Sequence, residues 1–145
     1  MVRAARRMAI AALLLAVAEC DSVRGRRLEV DFRTVEGLRT GDAVYRAGVY
    51  VGRTGEPFVR GGRAIVPVFV TDDASLVPGG VIFLLADDRI RPGRRCLKVY
   101  ALGVGRVAPD PTTVSRGASN EIELIALVGY ARAKEILALL DLNDR

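Results

Sequence analysis

Few side chains in this chain of 145 residues have the types and spacing that chemistry requires. There is no histidine and no tryptophan. That excludes Ser-His-Asp and Cys-His nucleophilic triads and every metal site that needs an imidazole. The two cysteines, Cys20 and Cys96, cannot make a four-thiolate zinc site. Two carboxylate pairs remain, Asp72-Asp73 and Asp87-Asp88, together with an arginine cluster of Arg89, Arg91, Arg94 and Arg95. Asp72-Asp73 precedes Ala74-Ser75 in a turn, where aspartate bonds its own backbone. Asp87-Asp88 opens a run of arginines that would neutralise it. General acid–base work needs a converging partner and a raised pKa, and neither pair shows one in sequence. The expectation is a protein that is not an enzyme, with no metal and no cofactor. Cys96 falls in a strand pattern and reads as a small core residue.

The elements that would position these groups begin after an N-terminal signal. Arg3, Arg6 and Arg7 precede an apolar run from Met8 to Ala18, followed by Glu19-Cys20-Asp21. A basic start and a short apolar core describe a secretory signal, residues 1–19, and the run is too short to span a bilayer, which takes ~20 apolar residues. Val17-Ala18-Glu19-Cys20 resembles the lipobox of bacterial lipoproteins, in which the cysteine is acylated. Glu19 departs from the small residue usual at that position, so the alternative is an ordinary signal with an incidental Cys20. Cleavage before Cys20 would lower the net charge from +5 to +3. No dense basic stripe with interleaved aromatics remains after that, and nucleic acid is not expected as a partner.

Residues 20–27 read as a polar tether and residues 28–102 as a β domain. Leu28, Val30 and Phe32 alternate with Glu29, Asp31 and Arg33, the period of a strand with one buried face. Ala43 to Arg46, Val49 to Arg53, Pro57 to Arg60, Ala64 to Thr71, Val81 to Leu85 and Arg95 to Ala101 follow as short strands. Gly61-Gly62 has the composition of a tight hairpin turn. Six or seven short strands so closely spaced predict a small barrel or sandwich. Residues 103–118, with Pro109 and Pro111, read as a linker.

Residues 119–142 then read as one helix, Glu121 to Leu140 being ~30 Å long, capped by Asn120 with Glu123 as its capping-box partner. Charges recur after the eight uncharged residues Leu124 to Ala131, which argues against a membrane span. Its wide apolar surface must be buried, either on the chain's own barrel or between copies of the chain.

The most informative stretch is Phe32 to Gly52. As a joint set, Phe32, Gly37-Leu38, Gly41, Val44, Gly48-Val49 and Val51-Gly52 resemble the opening of the MCE domain, found in the bacterial MlaD family of lipid-transport proteins. Val77-Pro78, ahead of the strand from Val81, fits the same pattern. The resemblance covers roughly residues 28–102. It implies a mainly β fold, a small seven-stranded MCE-type barrel followed by a C-terminal helix. It implies a homo-oligomeric ring, a homohexamer in the family, on the periplasmic side of the cell envelope; the lipoprotein resemblance, with Asp21 after Cys20, implies anchoring to the inner membrane. The ring would bind phospholipid or another lipid and work with a membrane permease and an ATPase; no P-loop occurs here, so energy would come from such a partner.

The family's lipid path uses a loop between two late strands and a following helix. The counterparts here are Asp88, Arg89, Ile90, Arg91 and Pro92 for the loop, and Leu124, Leu127, Val128 and Ala131 for the helix. The loop departs from the apolar family pattern, since from Asp87 to Arg94 every residue but Ile90 is charged, proline or glycine. Its arginines are either partners for lipid phosphates or a solvated surface. The rival to transport is a structural or adaptor envelope lipoprotein that keeps the barrel and lacks a pore.

Overall fold

A computed structural model describes residues 25–71, 80–101 and 114–143. Cys20, the signal segment, Asp72-Asp73 and Val77-Pro78 lie outside the described residues. The described residues form eight strands: β1 (Gly25–Phe32), β2 (Ala43–Arg46), β3 (Val49–Thr54), β4 (Phe58–Arg60), β5 (Arg63–Thr71), β6 (Val81–Asp87), β7 (Arg95–Ala101) and β8 (Ser115–Ala118). Two helices follow, α1 (Glu121–Val128) and α2 (Tyr130–Asn143).

Seven of the strands close on themselves in the order β1-β8-β6-β7-β2-β3-β5, with β5 returning to β1 through eight paired residues from Gly25↔Thr71 to Phe32↔Ala64. Strand β4 is a short spur that continues along β5 beyond β3. Most neighbours are antiparallel; β8 runs parallel to both β1 and β6, and β2 parallel to β7. Closure leaves the seven strands of the ring without the unpaired edge that an open sheet exposes.

The strand period of two sorts the side chains. Leu28, Val30 and Phe32 of β1 meet Val66, Val68 and Val70 of β5, Val81, Phe83 and Leu85 of β6, and Leu97 and Val99 of β7 inside the barrel. The β4–β5 turn is Gly61-Gly62, both glycines at positive φ (60° and 74°), between the paired residues Arg60 and Arg63. Two consecutive positive φ values define the type I′ turn that suits the right-handed twist of paired strands. Gly37, Gly41 and Gly48, the turn glycines of the informative stretch, also have positive φ.

Three readings need correction. Strand β1 starts at Gly25, inside the stretch read as tether. Strand β8 lies inside the stretch read as linker, where its four residues, Ser-Arg-Gly-Ala, carry too little apolar pattern to signal a strand. They are a strand because the gap between β1 and β6 needs a filler thin enough to pass the Phe32 ring. A Cβ on Gly117 would stand 2.3 Å from that ring, so glycine is what the position admits.

The single helix is two. At Gly129 (φ 85°) the chain turns while its N–H still bonds the Ile125 carbonyl at 2.8 Å. The Lys134 ammonium reaches back to the Glu121 carboxylate at 2.6 Å, so α2 folds over the start of α1. Asn120 caps α1 by accepting the Glu123 N–H at 2.9 Å, and the Glu123 carboxylate accepts the N–H and hydroxyl of Ser119 rather than the N–H of Asn120.

The helix pair lies on its own barrel. Leu124, Ala133, Ile136 and Leu140 close over Ile82 and Leu84, the outward residues of β6, and over Ala118 of β8. Among the described residues no helix is long and apolar enough to cross a membrane.

Candidate functional site

At one mouth of the barrel, β6 and β7 are paired up to Asp87↔Arg95, leaving a loop of residues 88–94. Two buried carboxylates hold it. The Asp88 side chain is fully buried. Its Oδ1 accepts the backbone N–H groups of Ile90 (2.9 Å) and Arg91 (3.1 Å), and its Oδ2 accepts Arg91 Nε–H at 3.1 Å. The Tyr45 hydroxyl donates to the same carboxylate at 3.3 Å. Asp42 does the corresponding work at the far end. It accepts the Arg39 N–H at 2.7 Å and Arg94 Nε–H at 2.8 Å, and Arg94 Nη2 lies 2.6 Å from it. Backbone bonds from Asp88 N–H to the Arg94 carbonyl (2.9 Å) and from Arg94 N–H to the Arg91 carbonyl (3.1 Å) close the loop.

The charges shift accordingly. Burial by itself would raise the Asp88 carboxyl, but the hydrogen bonds from the Arg91 side chain and from the Arg91 and Ile90 backbone win, holding it below the usual carboxylate range. The Tyr45 hydroxyl is raised, chiefly by burial and then by the adjacent Asp88 charge. Arg91 is raised by its bond to Asp88. The loop is therefore neither a row of arginines waiting for phosphate nor a loose solvated run. Arg91 is on Asp88, Arg94 on Asp42 and Arg95 on Asp87. Ile90 is held out at the tip, 72% exposed, with Arg89 and Pro92 exposed beside it.

The four helix positions do not share an open face. Leu124 is fully buried beneath α2 and against β6, Leu127 and Val128 are partly buried in the same cluster, and Ala131 is exposed. The helical residue that does approach the loop is Leu140. With Tyr45, Lys98, Tyr100 and Ile90 it lines a cleft of about 250 Å³ on the outer wall of the barrel. The β2–β3 turn at Ala47-Gly48 forms another side, and Asp87, Asp88, Arg89 and Cys96 complete the lining.

Sequence reasoning missed Asp42, Tyr45 and Leu140. Asp42 follows the positive-φ Gly41, and an acid at such a turn reads as solvent-facing; only the neighbouring Thr54 bonds and Arg94, 52 residues away, make it a buried anchor. Among the described residues no cluster of acids and thiols could hold a metal ion.

No family model matches the sequence, and no curated protein matches it. Among solved structures, a chain of the Acinetobacter MlaFEDB complex, in an ATP-bound conformation, is similar with a TM-score of 0.51 at 14% sequence identity. The match covers 86% of this chain and 97% of that one. At that identity the likeness is one of fold: a closed seven-stranded barrel followed by helix.

Proposed function

We propose that this chain is a periplasmic, membrane-tethered lipid-binding subunit of an MCE/Mla-type transport system, non-enzymatic, and working with a permease and an ATPase. The observation that carries the reading is the closed seven-stranded barrel, similar along nearly the whole length of a chain from the MlaFEDB complex. The motif set from Phe32 to Gly52 supports it independently, since its turn glycines take the left-handed conformations that the motif requires. In this reading copies of the chain form an oligomeric ring, Cys20 carries the lipid anchor, and phospholipid passes along the ring's axis.

The apolar contact with that lipid then falls to Ile90, which a pinned loop holds out at the mouth, rather than to Leu124. A fixed donor of apolar surface keeps its side chain in place without paying conformational entropy at each passage.

A second reading, an envelope adaptor with no transport pore, is favoured by the burial of the α1 and α2 apolar faces on their own barrel. Gentle detergent extraction of the full chain, followed by mass spectrometry of bound lipid and light scattering, separates the two. Transport predicts an oligomer with stoichiometric phospholipid. A lipid-free protein of either size leaves the adaptor. Intact mass shows whether the mature chain begins with an acylated Cys20.

A further inference from the structure

The helix pair covers β6 and the end of β8, and among the described residues nothing covers the flank centred on β1 and β5. That flank carries a charge its ion pairs do not cancel. Arg116 of β8, Arg27 of β1, Arg63 of β5, Arg60 of β4 and Arg53 of β3 stand on the outward rows of neighbouring strands, against Glu29 and Asp31 alone. Glu29 is shared by Arg27 and Arg60, and Asp31 is taken by Arg63. Arg53 and Arg116 make no ion pair among the described residues. Five cations against two acids leave this flank strongly positive, whereas α1 and α2 carry Glu121, Glu123, Glu135 and Asp141 against Arg132 and Lys134.

Aromatic rings lie among these cations. Register places Phe69 between Arg27 and Arg53, with the Arg53 guanidinium 5.8 Å from the ring centre. The Arg60 guanidinium stands 5.7 Å from the centre of the Phe58 ring. Both rings are exposed. Arginine stems laid along exposed rings suit a bilayer interface, where the apolar parts enter the head-group layer and the guanidinium meets phosphate.

The reach of the chain says which anionic surface is at hand. Five residues separate Cys20 from Gly25, where β1 begins, so the link spans at most about 18 Å. In the ring reading, the mouth bearing Ile90 points to the axis, so each barrel lies on its side and turns a flank to the bilayer.

We propose that the flank built by β8, β1, β5, β3 and β4 docks on an anionic bilayer surface, with Arg53 and Arg116 against lipid phosphates. The proposal rests on the membrane-tethered reading and adds an orientation to it, because an anionic surface attracts this flank and repels the acidic helix pair.

The test uses the full chain, as matured in cells, in lipid discs of phosphatidylcholine alone or with about one-third phosphatidylglycerol. A water-soluble arginine reagent, hydroxyphenylglyoxal, is applied and the modified residues are mapped by mass spectrometry. Arg53 and Arg116 react severalfold more slowly on the anionic discs, Arg132 on α2 reacts equally on both, and high salt abolishes the difference. Arg53→Gln with Arg116→Gln weakens docking about thirtyfold, at about 1 kcal/mol per arginine near such a surface, and returns Arg63 to its neutral-lipid rate. Ala126→Glu with Ala138→Glu, at exposed helix positions, makes the same change in net charge and leaves Arg63 protected.

Equal rates at Arg53 and Arg116 on the two kinds of disc overturn the proposal and leave the charge to an acidic protein partner. Equal slowing at Arg132 overturns it as well. So does protection of Arg63 that survives the arginine variant or is lost in the helix variant. In all of these cases a chain that stays with both discs and holds phospholipid leaves the tethered, lipid-binding subunit standing. A chain that stays with neither disc overturns the tether and the docking together.

Discussion

The barrel has two outer faces built on the same alternation, and they end differently. On the β1–β5 side the outward row of β1 is charged, while that of β5 runs Arg63, Ile65, Pro67, Phe69 and Thr71. Glu29 pairs with Arg60 at 2.7 Å and with Arg27 at 3.7 Å, Asp31 pairs with Arg63, and Arg53 lies over the Phe69 ring. These side chains are a quarter to a half exposed, and nothing covers them among the described residues. On the β6–β8 side the outward residues are Ile82, Leu84 and Ala118, and the helix pair roofs them. Inside, the two faces share one core. What lies outside is decided by the residues a strand turns away from its interior: ion pairs leave a face bare, and aliphatics demand a cover. The Gly129 turn, by folding α2 over α1, is what lets this chain supply that cover itself.

The largest expected effect is therefore on the roofed face. Leu124, with no exposure, sits where both helices meet the sheet. Leu124→Ala should cost about 2–5 kcal/mol of roof stability, by lost transfer energy and the cavity left behind. Hydrogen exchange should accelerate across residues 121–143 while the amides of β1 and β5 keep their protection. Uniform acceleration would mean that the barrel and its roof unfold as one unit, and that the roof is a structural part of the barrel rather than a cover laid on it.

Next comes the seam. Strand β8 lies between the two faces, paired to β1 on one side and β6 on the other, and Gly117 gives the Phe32 ring its room. Gly117→Ala should destabilise by about 1–3 kcal/mol through overpacking, read as a lower melting temperature. Gly61→Ala strains a positive φ but has open space around its Cβ, so it should cost about 1 kcal/mol or less. If the two variants melt together, the Phe32 contact contributes nothing beyond backbone strain.

How much of this contrast is visible in sequence depends on the distance over which each feature is encoded. The inward and outward rows of β1, β5 and β6 follow from period two within a few residues, and the Gly61-Gly62 turn from its dipeptide alone. The break at Gly129 also sits in plain view, but one glycine in a helical pattern is usually tolerated, and the fold-back depends on Ala133 and Ile136 finding Ile82 and Leu84 fifty residues earlier. Strand β8 is legible only from its neighbours, since its four residues lack any pattern of their own. At the mouth, the Asp87-Asp88 pair reads correctly as arginine-neutralised. The loop's rigidity does not, because it hangs on Asp42 and Tyr45, which belong to β2 and the turn before it. The resemblance carried by Phe32 to Gly52 points to the barrel; the side the helices pack on is set by long-range contact.

The mouth sharpens the comparison by asking what burial does to a charge. Asp88 is buried and held by four donors, and its folded-state pKa lies below that of the unfolded chain. The stabilisation it brings is complete above the unfolded carboxyl's value of about 4 and is lost as pH falls through the folded value. Loop amides from Asp88 to Arg94 should thus stay protected down to about pH 4 and open below it. Asp88→Asn should remove that acid step and leave the loop open at neutral pH, because a carboxamide can accept from Ile90 or Arg91 but cannot hold the guanidinium charge. A variant loop as protected as the wild type at pH 7 would assign the rigidity to Asp42 and Arg94 alone.

The smallest effect belongs to the bare face. Asp31 makes its ion pair with Arg63 at 30% and 48% side-chain exposure, in reach of water and salt. Pairs of that kind contribute about 0–1 kcal/mol, since Coulomb attraction in high dielectric is set against the ordering of two long side chains. Asp31→Asn should therefore lower stability by less than about 1 kcal/mol, with the difference vanishing in high salt. The same neutralisation at Asp88 should be larger and nearly independent of salt, because that carboxylate is screened by protein rather than by ions. Denaturant melts of the two variants at low and high ionic strength make the comparison directly. If Asp31→Asn costs as much as Asp88→Asn under both conditions, the bare face is held together by its charges as firmly as the mouth is, and the division between a decorative and an anchoring set of acids fails.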